Sequence, residues 1–304
     1  MKDLATYGVR TVFLAIVIII SLIHSRGFCA PPFMDFEGVG GGGIVPGAYL
    51  VNPPEEGKLV GEPAISHWSL IGGGNNVYTF GLTLSLAERF ELGYVLEVND
   101  FHRLRHDIKR DSKGALDVKE PWIYMSNIHF KTLFIRESKY IPAFAITCEF
   151  KINHTIQTMN DNIDKGLDPV GYDDDMGVDF DFSFSKTLKD FFYFPCIINA
   201  NLRLTRGYYL GLLGFGSNYT ANGELSLAFL IHPKVALGVE ARQQNHEMKA
   251  LPLKGYSMEE DTFWDTFVTF FPNRKFSIAV AFCKFGNIVN KDVNFFVCNL
   301  KYDF

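Results

Sequence analysis

Apolar and polar residues alternate with a period of two from about residue 64 to the end of the chain. The alternation divides into twelve segments: 65–72, 76–86, 89–98, 124–135, 141–151, 177–186, 194–205, 222–231, 234–243, 260–270, 275–284 and 292–304. In the sixth, Val178, Phe180, Phe182 and Phe184 alternate with Asp179, Asp181, Ser183 and Ser185. In the seventh, Ile198, Ala200, Leu202 and Leu204 oppose Asn199, Asn201 and Arg203, and in the eleventh Phe276, Ile278, Val280 and Phe282 oppose Ser277, Ala279 and Ala281. Such alternation predicts strands whose two faces meet different surroundings.

The connections sort by length. Those at 73–75, 87–88, 136–140, His232-Pro233 and 271–274 are tight, and 187–193 is short to medium. Those at 99–123, 152–176, 206–221 and 244–259 are long, and 285–291 is intermediate. From the second connection on, short and long alternate, which a soluble sandwich has no reason to do. Short turns on one side and long loops on the other are the pattern of an outer-membrane barrel. The expected fold is therefore all-β: a transmembrane antiparallel up-and-down β-barrel of about twelve strands, filling residues 64–304.

Both ends of the chain agree with that expectation. Phe296, Cys298, Leu300, Tyr302 and Phe304 alternate with Val297, Asn299, Lys301 and Asp303. This stretch resembles the C-terminal assembly signal of Gram-negative outer-membrane β-barrels, with Phe296, Leu300, Tyr302 and Phe304 as its apolar positions. At the other end, Lys2 and Arg10 precede an uncharged run over residues 11–23, too short to span a bilayer comfortably. Residues 1–29 read as a signal peptide cleaved after Cys29. Between the two lies a glycine- and proline-rich segment, 30–63, expected at or inside the barrel mouth. Five glycines fall between Gly38 and Gly43, followed by Pro46, Gly47, Pro53 and Pro54. The run lacks the Gly-Lys-Ser/Thr ending of a phosphate loop. Residues 44–51 read as a first strand or as a segment threading the barrel mouth.

With Glu37-Gly-Val-Gly-Gly-Gly-Gly-Ile-Val-Pro46 and Ala87-Glu-Arg-Phe-Glu-Leu-Gly-Tyr94, the chain resembles an uncharacterised Gram-negative outer-membrane family, domain of unknown function 3034. A more distant similarity is to outer-membrane channels for small organic compounds. The resemblance implies a barrel and carries no catalytic or ligand residue with it.

Composition narrows the chemistry. The chain is 15% aromatic and only 21% charged, so its apolar surface is spread through short segments. A net charge of −5 gives no electrostatic case for nucleic acid. Taking odd positions as lumenal in the first seven strands places His67, Glu91, Glu97, His129, Lys131, Glu149, Lys151, Asp179, Asp181, Asn199, Asn201 and Arg203 inside. Later strands add Glu240, Arg242, Asp265, Asn299 and Lys301. These groups either neutralise one another or line a weakly selective path. Asp161, Asp164, Asp168, Asp173, Asp174 and Asp175 make an acidic external loop without EF-hand spacing, read as solvated. The basic residues of 102–113 face lipid-A phosphates or that loop. No Gly-x-Ser-x-Gly motif occurs, and Ser217 reads as loop. Cys148, Cys196, Cys283 and Cys298 read as apolar fillers, with Cys283 toward the lumen and Cys298 toward lipid.

The expected function is passive passage of small solutes; the alternative is a closed structural or binding barrel acting through its external loops. Neither an enzyme activity, a cofactor nor a metal is expected. The expected partners are outer-membrane lipid and lipopolysaccharide, the barrel-assembly machinery and a small solute.

Overall fold

A chain of antiparallel strands with one apolar and one polar face can satisfy every backbone hydrogen bond in lipid only by closing on itself. The computed structural model of the protein describes residues 33–114, 117–120, 122–189, 193–244, 260–287 and 292–304. The expected signal peptide and most of the 244–259 loop lie outside them. Twelve strands follow one another: β1 Ala64–Gly72, β2 Asn75–Leu86, β3 Phe90–Asp100, β4 Trp122–Ile135, β5 Ala143–Asn153 and β6 Met176–Leu188. The second half is β7 Cys196–Gly207, β8 Phe215–His232, β9 Val235–Arg242, β10 Phe263–Phe270, β11 Phe276–Asn287 and β12 Asp292–Asp303. Each pairs with its sequence neighbours, and β12 pairs with β1 from Ala64↔Asp303 to Ile71↔Phe296, closing the barrel. Two short helices, α1 His102–Asp111 and α2 Ile156–Asn162, sit in the connections after β3 and β5.

The faces are those of a membrane-spanning barrel. Phe80, Leu92, Phe130, Phe184, Leu202, Val239, Phe282 and Phe296 are exposed around the outside, whereas Glu91, Lys131, Glu149, Asp181, Arg203 and Arg242 are buried within. The end holding the long connections is external; it carries the turn after β1, and the turn after β2 lies at the periplasmic rim. Phe296, Leu300, Tyr302 and Phe304 all face outward.

Two expectations need correction. His67 does not point into the bore. In β1 the inward residues are Ser66, Trp68 and Leu70, and His67 lies on the outer face beside Phe80. The cause is one residue of turn length. Gly72 pairs with Asn75 across a two-residue turn, where Gly73 and Gly74 both have positive φ, as a tight hairpin requires. The odd sum of paired numbers switches inward parity between β1 and β2, whereas a three-residue turn at 73–75 would have kept it. The second correction is β8, which begins at Phe215 rather than near 222, so Ser217 lies in a strand. Phe215-Gly-Ser-Asn-Tyr-Thr does not alternate because this stretch pairs near the external rim, at Gly207↔Phe215 and Thr205↔Thr220.

Mid-barrel side chains check the assignment of faces. Phe182 faces outward between Ile146 and Leu202, whereas Asp181 faces in, 2.8 Å from Arg203. Phe182→Arg places a charge in lipid at a cost of about 2–4 kcal/mol and is expected to impair assembly, read as loss of heat-modifiable gel mobility. Asp181→Asn keeps the volume and is expected to assemble like the wild type.

Candidate functional site

The bore is occupied by the chain's own N-terminal segment. Phe33 packs against Phe267 and Phe271, with ring centroids 5.8 and 5.7 Å apart, at the periplasmic rim. The chain rises into the barrel, folds on itself through bridges Met34↔Gly40 and Gly41↔Pro46, and descends again. On the way down Val51 N–H donates to Glu91 at 2.6 Å and Ser85 Oγ donates to the Val51 carbonyl. Val60 then bridges Leu86, and Gly61 N–H donates to the Ser85 carbonyl at 2.8 Å. The segment therefore enters and leaves at the same rim. It forms no strand of its own at 44–51.

Glycine makes this fit possible at one level in particular. A Cβ on Gly42 would stand 1.6 Å from Glu240 Oε1, and one on Gly43 3.3 Å from both Glu240 and Asp265. Without side chains, the backbone itself reaches the wall. Gly43 and Ile44 N–H donate to Glu240 Oε2 at 2.8 and 2.6 Å, and Gly40 N–H donates to Glu91 at 2.9 Å. Ala48 N–H donates to Ser185 Oγ at 2.7 Å. In return Lys131 Nζ donates to the Gly40 and Tyr49 carbonyls at 2.7 and 3.1 Å, and Asn201 donates to the Pro46 carbonyl at 2.6 Å.

At the centre stands Glu37. Its carboxylate meets Lys151 Nζ, Arg203 Nη2 at 3.1 Å and Arg242 Nη1 at 2.7 Å. Those three cations come from β5, β7 and β9 and are shared with wall carboxylates. Asp179 lies 2.8 Å from Lys151 and 3.3 Å from Arg203, and Glu224 accepts from Nε of both Arg203 and Arg242 at 2.9 Å. All are essentially without solvent contact, so each charge depends on its partners.

Toward the external mouth the filling turns apolar. The turn after β7, which contains Tyr208, Tyr209, Leu210 and Leu212, folds inward and packs with Phe101 and Leu104 near α1, Ile156 of α2, and Phe215. Asn153 holds it by donating to the Gly211 and Leu212 carbonyls at 2.9 and 3.0 Å. Glu260 accepts from Tyr209 N–H at 3.1 Å, and burial pushes its carboxyl up to about 8.

Apart from His67, the polar positions expected inside are on the inner wall. Glu91, His129, Lys131, Glu149, Lys151, Asp179, Asp181, Asn199, Asn201, Arg203, Glu240, Arg242 and Asp265 are buried, and Glu97 is partly so, accepting from Asn99 at 2.8 Å. Sequence reasoning missed Glu37 and Glu224. Glu37 stands in a segment without periodicity. Glu224 is inward because β8 reverses parity relative to β7, as the pairing Asn201↔Glu224 shows. The basic residues near α1 pair locally, Arg110 with Asp107 at 2.7 Å and Lys109 with Asp117 at 2.6 Å. In the acidic loop, Asp168 accepts from Asn160 at 2.6 Å, and Asp174 lies 3.4 Å from Arg206. The four described cysteines are free, Cys283 buried on the inner wall and Cys298 on the outer face.

A family model described as "Protein of unknown function (DUF3034)" matches residues 31–294. No curated protein matches. Among solved structures, the KdgM porin is 6% identical, covering 79% of this chain and 99% of its own, with a TM-score of 0.48. The outer membrane protein Omp33 of Acinetobacter baumannii is 10% identical over 81% and 99%, at 0.43. The COG4313 outer membrane channel of Pseudomonas putida F1 is 13% identical over 80% and 93%, at 0.40. These are likenesses of fold.

Two measurements probe the filling. Glu37→Ala leaves three buried cations short of a partner, and breaking such a cluster costs about 3–5 kcal/mol; the N-terminal segment is expected to become sensitive to protease from the periplasmic side while the barrel stays assembled. The second concerns pH. Glu260 holds its proton more tightly when folded, so the stability this gives the external layer is full below about 4.5 and lost as pH rises through about 8. The hydrogen-exchange protection factor at Tyr209 is expected to fall over that window, and Glu260→Gln to flatten the fall.

Proposed function

The chain belongs to the DUF3034 family, whose description assigns no activity, and we propose that it is an outer-membrane channel for small solutes, held shut by its N-terminal segment. One observation carries the reading: residues 33–61 enter and leave the bore at the same periplasmic rim, so their withdrawal breaks no pairing between barrel strands. The chemistry of the wall supports it. A bore meant to stay filled is more stably lined by apolar side chains than by ion pairs. Here the wall from β3 to β10 is charged, and the contacts to the segment are largely hydrogen bonds and ion pairs that water can replace.

With the segment withdrawn, the wall presents Glu91, Glu97, Glu149, Asp179, Asp181, Glu224, Glu240 and Asp265 against Lys131, Lys151, Arg203 and Arg242. That excess of carboxylates favours cationic and neutral polar solutes. A second reading, a barrel closed for good that acts through its external surface, is favoured by the apolar layer around Tyr209 and Phe215.

Planar-bilayer recording separates the two. The wild type is expected to be mostly silent, with rare openings. A variant lacking residues 33–57, shown to be assembled by its gel mobility, is expected to give steady openings with a preference for cations. An assembled deletion variant that stays silent would mean the external layer seals the bore by itself, and the second reading would stand.

A further inference from the structure

The outer face of β1 carries two polar side chains where the barrel meets lipid. His67 and Ser69 lie two residues apart on that face, between Ile65 and Ile71, both of which are exposed. Around them on the same face stand Phe80 and Tyr78 of β2 and Leu300 and Cys298 of β12, their register partners. An ionisable side chain in an apolar belt is a functional-site hypothesis by default.

Their geometry gives the hypothesis a form. Ser69 Oγ lies 2.8 Å from His67 Nε2, and His67 Nδ1 lies 2.9 Å from the carbonyl oxygen of Thr79. A carbonyl can only accept, so Nδ1 carries the proton. Nε2 then holds the free lone pair, and the Ser69 hydroxyl is the donor to it. The imidazole ring is further held by stacking on Phe80, with centroids 4.5 Å apart and planes at 26°. A hydroxyl donating to an unprotonated ring nitrogen, whose other nitrogen is fixed by a third group, is the arrangement of an activated nucleophile. The site's depth fits a lipid ester. Ser69 stands three residues before the external end of β1, about 10 Å along the strand and, at the usual tilt, about 8 Å below the rim. That places it in the half of the barrel nearer the cell exterior, on the side of the outer leaflet.

We propose that Ser69 and His67 form a nucleophile–base pair acting on the acyl esters of outer-leaflet lipid. The Ser69 proton passes to His67 Nε2 as Oγ bonds to the ester carbonyl carbon and the carbonyl electron pair moves onto its oxygen. When that pair returns, the bond to the alcohol breaks and the leaving oxygen takes the proton from Nε2, leaving acyl-Ser69. A water molecule repeats the sequence, giving up its proton to Nε2, releasing the fatty acid and returning the proton to Ser69. In sum, one ester and one water become one carboxylic acid and one alcohol. The site shares no residue with the occupied bore and does not depend on whether the barrel conducts.

The test is covalent labelling of the full chain, assembled in detergent micelles, with an alkyl fluorophosphonate, the labelled residue being located by peptide mass mapping. The label is expected on Ser69, and Ser69→Ala is expected to abolish it. His67→Gln is expected to slow labelling about 100-fold, the scale of a lost general base, with heat-modifiable mobility unchanged. Vesicles of phosphatidylcholine supply the second readout, release of fatty acid that both substitutions remove. An assembled wild type that takes no label, a label that persists in Ser69→Ala, or equal labelling rates in His67→Gln and wild type would each overturn the proposal.

Discussion

The structure depends on the cost of keeping charges away from water. Lipid takes the apolar side chains on the outside, so the carboxylates and guanidiniums at mid-barrel are driven inward, where few water molecules fit. Glu37 makes that arrangement self-consistent. Without it, Lys151, Arg203 and Arg242 would crowd together on the wall with Arg203 and Arg242 sharing Glu224. With it, three strands some way apart around the barrel are tied to one carboxylate on the inserted segment. A buried ion cluster of this kind adds little net stability over an apolar core, but it selects one arrangement, because any other leaves a charge unpaired.

The same constraint explains the composition of the segment. A filling made of ordinary side chains would hold its backbone away from the wall and orphan its own N–H groups. At Gly42 and Gly43 nothing intervenes, so Glu240 accepts two backbone N–H groups directly. The wall carboxylate and the segment's backbone thus solve each other's problem. The division of labour along the bore follows: polar contacts below, where glycine backbone meets charged strands, and aromatic packing above, where the turn after β7 folds in with Phe215 and Phe101.

Much of this was legible in the chain, and the exceptions have physical causes. Twelve strands could be read because a lipid-facing strand has no freedom in its outer positions, as Phe180, Phe182 and Phe184 illustrate. The inward residues of β3 to β7 followed from the same alternation. His67 did not, because β1 is mixed on both faces, Ile-His-Ser-Ile against Ser-Trp-Leu, and so offers no internal check on a one-residue error in its turn. Glu37 was invisible for a different reason. Its role is set by Lys151, Arg203 and Arg242, more than a hundred residues away, and no local pattern encodes such a meeting. The start of β8 failed because alternation reports the contrast between lipid and lumen, which fades where strands rise past the membrane.

The two closures of the bore differ in what would open them. Below, water can hydrate each charge that the inserted segment leaves behind, so the free energy of withdrawal is a difference between two well-satisfied states. It is set largely by how completely Glu37 and its three cations are solvated outside the cluster. Above, opening would expose Tyr208, Tyr209, Leu210 and Phe215 to water with no compensating partner, a cost that grows with the apolar area uncovered. Ionisation of Glu260 acts directly on this upper layer, because its hydrogen bond is to the backbone of Tyr209. In the proposed channel the lower closure is therefore the one that charge and salt would loosen, because its contacts are ones that water replaces.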